Sequence, residues 1–345
     1  MRNVRASVII ATHNRPEKLA ETLSSLTRQD NEAGEFEIIV VDDGSKPPVV
    51  IQGGDEFPPV VLVRVEGLER SAARNRGAAV ARGELLIFID DDISVKPDFV
   101  AAHVRAHDEW PGALAVGAIR LPDEAMTTPF GRFRQKLERN AVPPTRGLTS
   151  IRNFCTAANM SISRDVFLAL GGFDGSITSG EDQDFALRHT ARGGHIAFLP
   201  EADAVHRDDA LDILSYCLRA EWGSLNMIPF CRRYPDWPEN VEREQVNGAI
   251  RPSAPISETA RKVVKVALTP RPIAAVLFKT AAILERLAPN SRALDRVYRL
   301  LLGIHIFRGY RTGIAISDQR SAVSNRPSAI SDRPSAVRGS NAGFP

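Results

Sequence analysis

Five consecutive apolar residues, Leu85 to Ile89, run directly into three aspartates, Asp90, Asp91 and Asp92. A stretch that is apolar at every position reads as a strand buried on both faces, as in the centre of a parallel sheet. An ionised carboxylate cannot stay unpaired in such a core, because its desolvation is far too costly. The triplet must therefore sit at the carboxyl edge of the sheet, which is where open α/β sheets bind ligands. Carboxylates there suit a hard divalent cation, Mg2+ or Mn2+, which usually brings a phosphate with it. In isolation an Asp triplet is more often a solvated turn. The strand before it and the motifs around it favour a site.

The rest of the chain builds a sheet around that strand. Residues 6–11, 36–41 and 60–65 are further short apolar runs, and Leu19, Leu23 and Leu26 follow Pro16 at helical spacing. Residues 71–82 read as a helix rich in small side chains that can pack closely on a sheet. Strands alternating with helices predict a parallel α/β sheet with right-handed crossovers. After Pro97 the pattern predicts a helix over 99–110 and a strand over 113–119. Residues 121–150 fit no element and read as a mobile loop, and residues 153–163 return to the sheet. A short helix over 165–170 closes on Gly171 and Gly172, and a helix over 182–192 ends at Gly193 and Gly194. Strands over 196–199 and 202–206 finish this part. Helices are expected near 210–223, 257–268, 273–287 and 294–307.

Charge divides the chain. From residue 251 onward there are 16 Arg and Lys against 5 Asp and Glu, a net +11, which leaves −9 on the first 250 residues. The basic end suggests an anionic surface as its partner. Its apolar segments carry Lys279, Arg286, Arg296, Arg299 and Arg308, which suits helices lying in a membrane interface; a helical hairpin packed on its own domain, or on a second subunit in a homodimer, is the competing reading. No apolar run reaches the ~20 residues needed to cross a bilayer. Cys155, Cys217 and Cys231 lack metal-ligand spacing and read as free thiols. No signal-peptide core precedes the first strand. The expectation is a cytoplasmic protein, peripheral at the inner face of the membrane, with no nucleic-acid partner. Residues 317–345 hold a seven-residue repeat with Pro327 and Pro334 in its second and third units, expected to be a disordered tail.

Four spaced motifs resemble the family 2 glycosyltransferases of GT-A fold. They are Val8 to Pro16 (Val-Ile-Ile-Ala-Thr-His-Asn-Arg-Pro); Ile39 to Ser45 (Ile-Val-Val-Asp-Asp-Gly-Ser); Ala73-Arg74-Asn75-Arg76-Gly77 leading to Phe88-Ile89-Asp90-Asp91-Asp92, with Pro97 beyond; and Gly171-Gly172-Phe173-Asp174 followed by Gly180-Glu181-Asp182-Gln183-Asp184, then His206. Each is weak alone, but the order and spacing are specific. The resemblance spans residues 5–210. It implies a Rossmann-like mixed, mainly parallel sheet flanked by helices over residues 1–210, followed by a helical extension over 211–316.

The resemblance also implies roles. Asp90 and Asp92 match an Asp-x-Asp element holding Mn2+ or Mg2+ against the two phosphates of a nucleotide sugar (UDP-, dTDP- or GDP-linked), with His206 as a further metal ligand. Asp91, pointing to the other face, is assigned to the ribose. Thr12, Asn14, Arg15 and Asp43 lie where the base and ribose would bind, and Arg74 and Arg76 are assigned to phosphate or sugar. Asp182 matches the catalytic base that deprotonates an acceptor hydroxyl, with Glu181 beside it contacting the acceptor or orienting the base. Glu181, Asp182 and Asp184 also suit a helix start on charge alone. A single displacement with one base implies inversion. The expected activity is thus sugar transfer to a hydroxyl acceptor, a glycan or lipid-linked glycan, in cell-surface polysaccharide or glycolipid assembly. A non-catalytic nucleotide-sugar-binding protein shares these features. A sugar-phosphate nucleotidyltransferase needs a Gly-rich basic loop after the first strand, where this chain has Thr12-His13-Asn14-Arg15-Pro16.

Overall fold

The computed structural model describes residues 4–30, 34–51, 58–208, 212–250 and 254–324. Its elements in chain order are β1 (Ala6–Thr12), α1 (Pro16–Leu26), β2 (Phe36–Asp43), β3 (Val60–Val65), α2 (Glu69–Val80), β4 (Leu85–Asp90), β5 (Ile93–Val95), α3 (Phe99–Glu109) and β6 (Leu114–Arg120). Then come α4 (Pro129–Arg139), β7 (Gly147–Thr149), β8 (Asn159–Ser163), α5 (Arg164–Ala169), α6 (Glu181–Ala191) and β9 (Ile196–His206). The extension holds α7 (Ile213–Asn226), α8 (Ile228–Arg233), α9 (Pro238–Asn247), α10 (Ile256–Leu268), α11 (Arg271–Leu287) and α12 (Arg292–Ser324).

Nine strands make one mixed sheet in the order β3-β2-β1-β4-β8-β6-β9-β5, with β7 also on β9. β3, β2, β1 and β4 run parallel, and β8 lies antiparallel to β4 and β6. β4, apolar at each of its first five positions, is central and buried on both sides. One apolar core joins the sheet to α1 and α3. The other joins its opposite face to α2, α5 and α6. Because β1, β2 and β4 are parallel, their polar ends emerge together at one edge. β9 runs unbroken for 11 residues and returns alongside β5, which places His206 opposite Ile93, directly after the Asp triplet.

The segment 121–150 is ordered, contrary to the expected mobile loop. A 3-10 turn over Asp123–Thr127 leads to α4, where the Thr128 hydroxyl caps the Gly131 amide and Pro129 occupies the first turn. Phe130 and Phe133 on α4 are buried against Ile213, Cys217, Ala281, Leu294, Tyr298 and Leu301. The helical extension therefore shares a core with α4, which follows β6 of the sheet. α12 crosses α7 closely: a Cβ at Gly309 would collide with the Glu221 carbonyl, and one at Gly313 would lie 2.5 Å from the Leu225 carbonyl. The first repeat unit, 317–323, is the last stretch of α12. That unit has no proline to break a helix, unlike the next two. Residues 325–345, with the rest of the expected tail, lie outside the described residues. All three cysteines are buried free thiols.

Candidate active site

A cleft of about 250 Å³ opens at the carboxyl edge of β1, β2 and β4, lined by Thr12, His13, Arg15, Asp43, Arg70, Asp90 and Asp91, among others. Beside it, the cleft-lining Asp90 joins Asp92 and His206, and each of the three offers a ligand atom, all within 4.8 Å of one another. Asp92 is 5% exposed, and its Oδ1 is buried without a hydrogen-bond partner although His206 Nε2 stands 3.2 Å away. An orphaned carboxylate oxygen at that depth is costly unless something else meets it. Two carboxylates and one imidazole form a donor set that fits Mn2+ or Mg2+.

Charge keeps the two carboxylates of this cluster ionised. Burial works against an ionised Asp90, but the Arg74, Arg70 and His206 charges outweigh it and hold the carboxyl at about 2. Burial likewise opposes ionised Asp92, and the His206 imidazole beside it reverses the sign to a lowered pKa. The His206 imidazolium, disfavoured by burial, is held above its ordinary value by Asp92, Asp90 and Asp208. A cation therefore competes there with a proton.

Asp91 serves the scaffold. Its carboxylate accepts the Thr12 hydroxyl at 2.7 Å and Arg15 Nη1 at 3.2 Å, while its backbone carbonyl accepts the Thr22 hydroxyl at 2.8 Å. Burial, the largest effect, raises its pKa. Asp91 thus fixes the triplet to β1 and α1, and Thr12 spends its hydroxyl on Asp91. Arg15 also reaches Asp92 Oδ2 at 3.1 Å, so its half-exposed guanidinium spans both acids at the cleft wall. Asn14 adopts a left-handed backbone (φ 54°). Its amide donates to Ser45 Oγ and its side-chain oxygen accepts the Lys46 amide, joining the two loops that follow β1 and β2. Asp43 takes the Leu68 amide at 2.8 Å and lines the cleft.

Arg74 departs from its expected role. It is 2% exposed and donates Nη2 to Asp90 at 2.5 Å and Nη1 to Glu181 at 3.0 Å. Both ends of its fork are held by protein carboxylates, so it braces Asp90 against the start of α6. Glu181 is correspondingly tied to Arg74 rather than turned to open solvent. Arg76 also differs from expectation: α2 turns it to the exposed side, away from the cleft-lining Arg70 and Ala73. Sequence reasoning missed Arg70 and His13. The helical spacing of Arg70, Ala73, Arg74 and Gly77 is the signal that could have found the former.

Asp182 lies in the first turn of α6, after Gly180 in a left-handed backbone (φ 88°). Burial, then the neighbouring Glu181 charge, pushes its carboxyl up to about 7. A carboxylate titrating near neutrality is suited to general-base work. Asp184 is fully buried and held by Arg188, Arg233 and the Tyr234 hydroxyl, a structural role. Beside α6, Gln183 Nε2 donates to the Asn153 carbonyl, at the edge of a second groove of about 460 Å³ lined in part by Asn140, Arg152, Asn153, Trp237 and Glu239. Buried, unpartnered Arg152 Nε, Gln183 Oε1 and Glu239 Oε2 atoms cluster around this groove.

The family model "Glycosyl transferase family 2" matches residues 7–171. An uncharacterised glycosyltransferase of Haemophilus influenzae is 29% identical over 184 residues, covering 53% of this chain and 60% of that protein. The glucosyl-dolichyl phosphate glucuronosyltransferase of Haloferax volcanii is 30% identical over 180 residues, covering 50% of this chain and 56% of that protein. This chain thus spans little more than half the length of these curated relatives. A mannosyltransferase from Pyrobaculum calidifontis, solved with GDP-Man and Mn2+, superposes with a TM-score of 0.53 at 19% identity, covering 89% of this chain and 87% of that one. That likeness establishes the GT-A type of fold.

Proposed function

We propose, from the match of residues 7–171 to the family model "Glycosyl transferase family 2", that this chain is a metal-dependent, inverting transferase that moves a sugar from a nucleoside-diphosphate sugar to a hydroxyl acceptor. The observation that carries the reading is the Asp90–Arg74–Glu181 brace. It ties Asp90 of the triplet to Glu181 at the start of α6, whose chain neighbour Asp182 titrates near neutrality, and so supports the reading.

Asp90, Asp92 and His206 would hold Mn2+ or Mg2+, which when bound neutralises charge on the leaving diphosphate. Arg70 and Arg15 flank the cleft and supply further positive charge to the phosphates. Asp43 and His13, at the ends of β2 and β1, are assigned to the nucleoside. The second groove, whose Asn153 is bonded by Gln183, the chain neighbour of Asp182, is assigned to the acceptor. Asp182 takes the acceptor hydroxyl proton as that oxygen bonds to the anomeric carbon, and the bond to the diphosphate oxygen breaks with its electron pair leaving on the nucleotide. Attack and departure on opposite faces give inversion. A polysaccharide or lipid-linked glycan acceptor is in keeping with the dolichyl-phosphate-linked substrate named for the Haloferax volcanii relative.

The test is thermal unfolding against UDP-, dTDP- and GDP-sugars with Mn2+, with Mg2+ and with chelator. A ligand that binds only the folded state raises apparent stability by mass action. The expected result is a metal-dependent shift for one nucleotide class, lost in Asp92→Ala and kept in Asp182→Asn, while donor turnover is lost in both. Binding without turnover in the unsubstituted chain would favour a non-catalytic nucleotide-sugar-binding protein. No shift with any nucleotide would overturn the reading.

A further inference from the structure

α10 is built inside out. Lys262 is 1% exposed and donates its ammonium to the Ala249 carbonyl and to Glu258, each at 2.8 Å. One turn on, Lys265 also points inward, to Asn247 Oδ1 at 2.9 Å and the Val246 carbonyl. Burial, with Arg261 and Lys262 adding to it, lowers its ammonium to about 8. The opposite side carries Ile256 (89% exposed), Val263 and Val264 (each about half exposed). A helix bathed by water on its outer side buries aliphatics and exposes lysines; this one does the reverse.

α11, joined to α10 through Pro270 at a bend of 89°, continues the pattern. Its inner side packs Leu277, Phe278, Ala281 and Leu284 on α12 and its neighbours. Its outer side shows Val276 (61%), Ile283 (56%) and Leu287 (79%) to solvent. Isolated exposed aliphatics are ordinary, but two successive helices with apolar outer stripes mark a contact surface.

The charges around those stripes decide what covers them. Arg261, Arg271, Lys279 and Arg286 are exposed and have no ion-pair partner among the described residues. The two acids on these helices are engaged on the inner side: Glu258 by Lys262, and Glu285 by the Tyr298 hydroxyl at 2.6 Å. The outer face of these two helices therefore carries aliphatic and basic side chains, and Arg261 has acids nearby, in a groove it shares with Glu242 and Glu258. A second copy would bring like charges together across a two-fold axis. A bilayer surface offers acyl chains to the aliphatics and anionic headgroups to the basic residues. No single described helix is long and apolar enough to cross a membrane; α10 and α11 reach that length and composition only together, and the 89° bend between them breaks the run. We propose that the outer face of α10 and α11 seats this protein on an anionic lipid surface, lying in the interface plane without spanning it. This goes beyond the transferase reading and does not depend on it.

The test is vesicle flotation with the 345-residue chain, comparing phosphatidylcholine vesicles with vesicles in which roughly a third of the lipid is phosphatidylglycerol. Binding is expected to the anionic vesicles and to weaken as salt rises. Val264→Glu combined with Val276→Glu should reduce binding at least about tenfold, since both put a charge into the apolar stripe. Lys279→Glu and Arg286→Glu should each reduce it about fivefold or more. Thermal unfolding and nucleotide-dependent thermal shifts of the variants should match those of the parent, showing that fold and cleft are intact. Three results would overturn the proposal: no preference for anionic over neutral vesicles, variants that bind like the parent, or a dimer in solution that Val264→Glu takes apart.

Discussion

Replacing Arg74 by Met probes the brace on which the site depends. The substitution keeps side-chain length and apolar volume but leaves Asp90 and Glu181 facing each other without their cation. Each lost bond is charge-assisted and worth about 1.5–3 kcal/mol. Stranding buried carboxylates by removing a shared partner typically costs about 3–5 kcal/mol. Asp90 is 26% exposed at its side chain and so partly relieved by water, which places the expectation at the lower end, near 3 kcal/mol. For a chain of 345 residues, with an unfolding entropy of about 2.1 cal/mol/K per residue, that is a fall of roughly 4 °C in melting temperature. The effect should depend on pH in a defined sense. Arg74 is the strongest of the groups that bring Asp90 down from 3.8 to about 2, so its contribution is present above the unfolded-state value and lost as pH falls through the folded one. The gap between parent and variant in denaturant titrations should hold at neutral pH, narrow below about pH 4 and close near pH 2. Arg74→Lys keeps the charge but reaches only one acid, so it should fall between the two. A variant within about 1 kcal/mol of the parent at pH 7, or a gap unchanged at pH 3, would refute the assignment of Arg74 as a brace.

Further outcomes follow from the same structure. Because the Asp182 carboxyl is raised to about 7 and must be ionised to act as base, transfer should climb about tenfold per pH unit below that value and level off above it. Glu181→Gln removes a neighbouring charge that raises Asp182, so the acid limb should move to lower pH; a limb that stays put in pH–rate profiles would refute this. A raised folded pKa means stability present below the unfolded value of 3.8 and lost as pH rises through 7, so Asp182→Asn should unfold at higher temperature than the parent at pH 8. Gly83→Ala should destabilise by about 1–3 kcal/mol, since the new Cβ would lie 2.5 Å from the Ala6 carbonyl carbon, backbone that cannot step aside. An unchanged midpoint in urea would show that the β1–β4 contact is looser than described.

What the sequence made legible is what local pattern can encode. The unbroken apolar run of β4 places it at the sheet centre, and the aspartates that cannot stay inside mark the ligand edge. The adjacency of Asp92 and His206 followed from motif resemblance, and its physical basis is the β5–β9 pairing. β5 is only three residues long, too short for periodicity to reveal. α4 escaped notice because the Pro and Arg residues around it mask a stripe of Phe130, Phe133 and Leu137 and a Thr128 cap. The partners of Arg74 were out of reach for another reason: Glu181 lies 107 residues away, and no local rule states which arginine a buried acid will choose. Arg76, two positions on, looks equivalent in a string and differs only in which way the helix turns it.

The close crossing of α12 on α7 bears on reach. With glycines at 309 and 313 letting the two backbones touch, α7 and α12 form one tight unit, and Phe130 and Phe133 of α4 are buried in the same helical core. With α10 and α11 resting on lipid, the cleft would stand at a fixed height above the headgroups. An acceptor carried by a lipid must then present its hydroxyl at that height, so standoff would discriminate among acceptors that the groove itself treats alike.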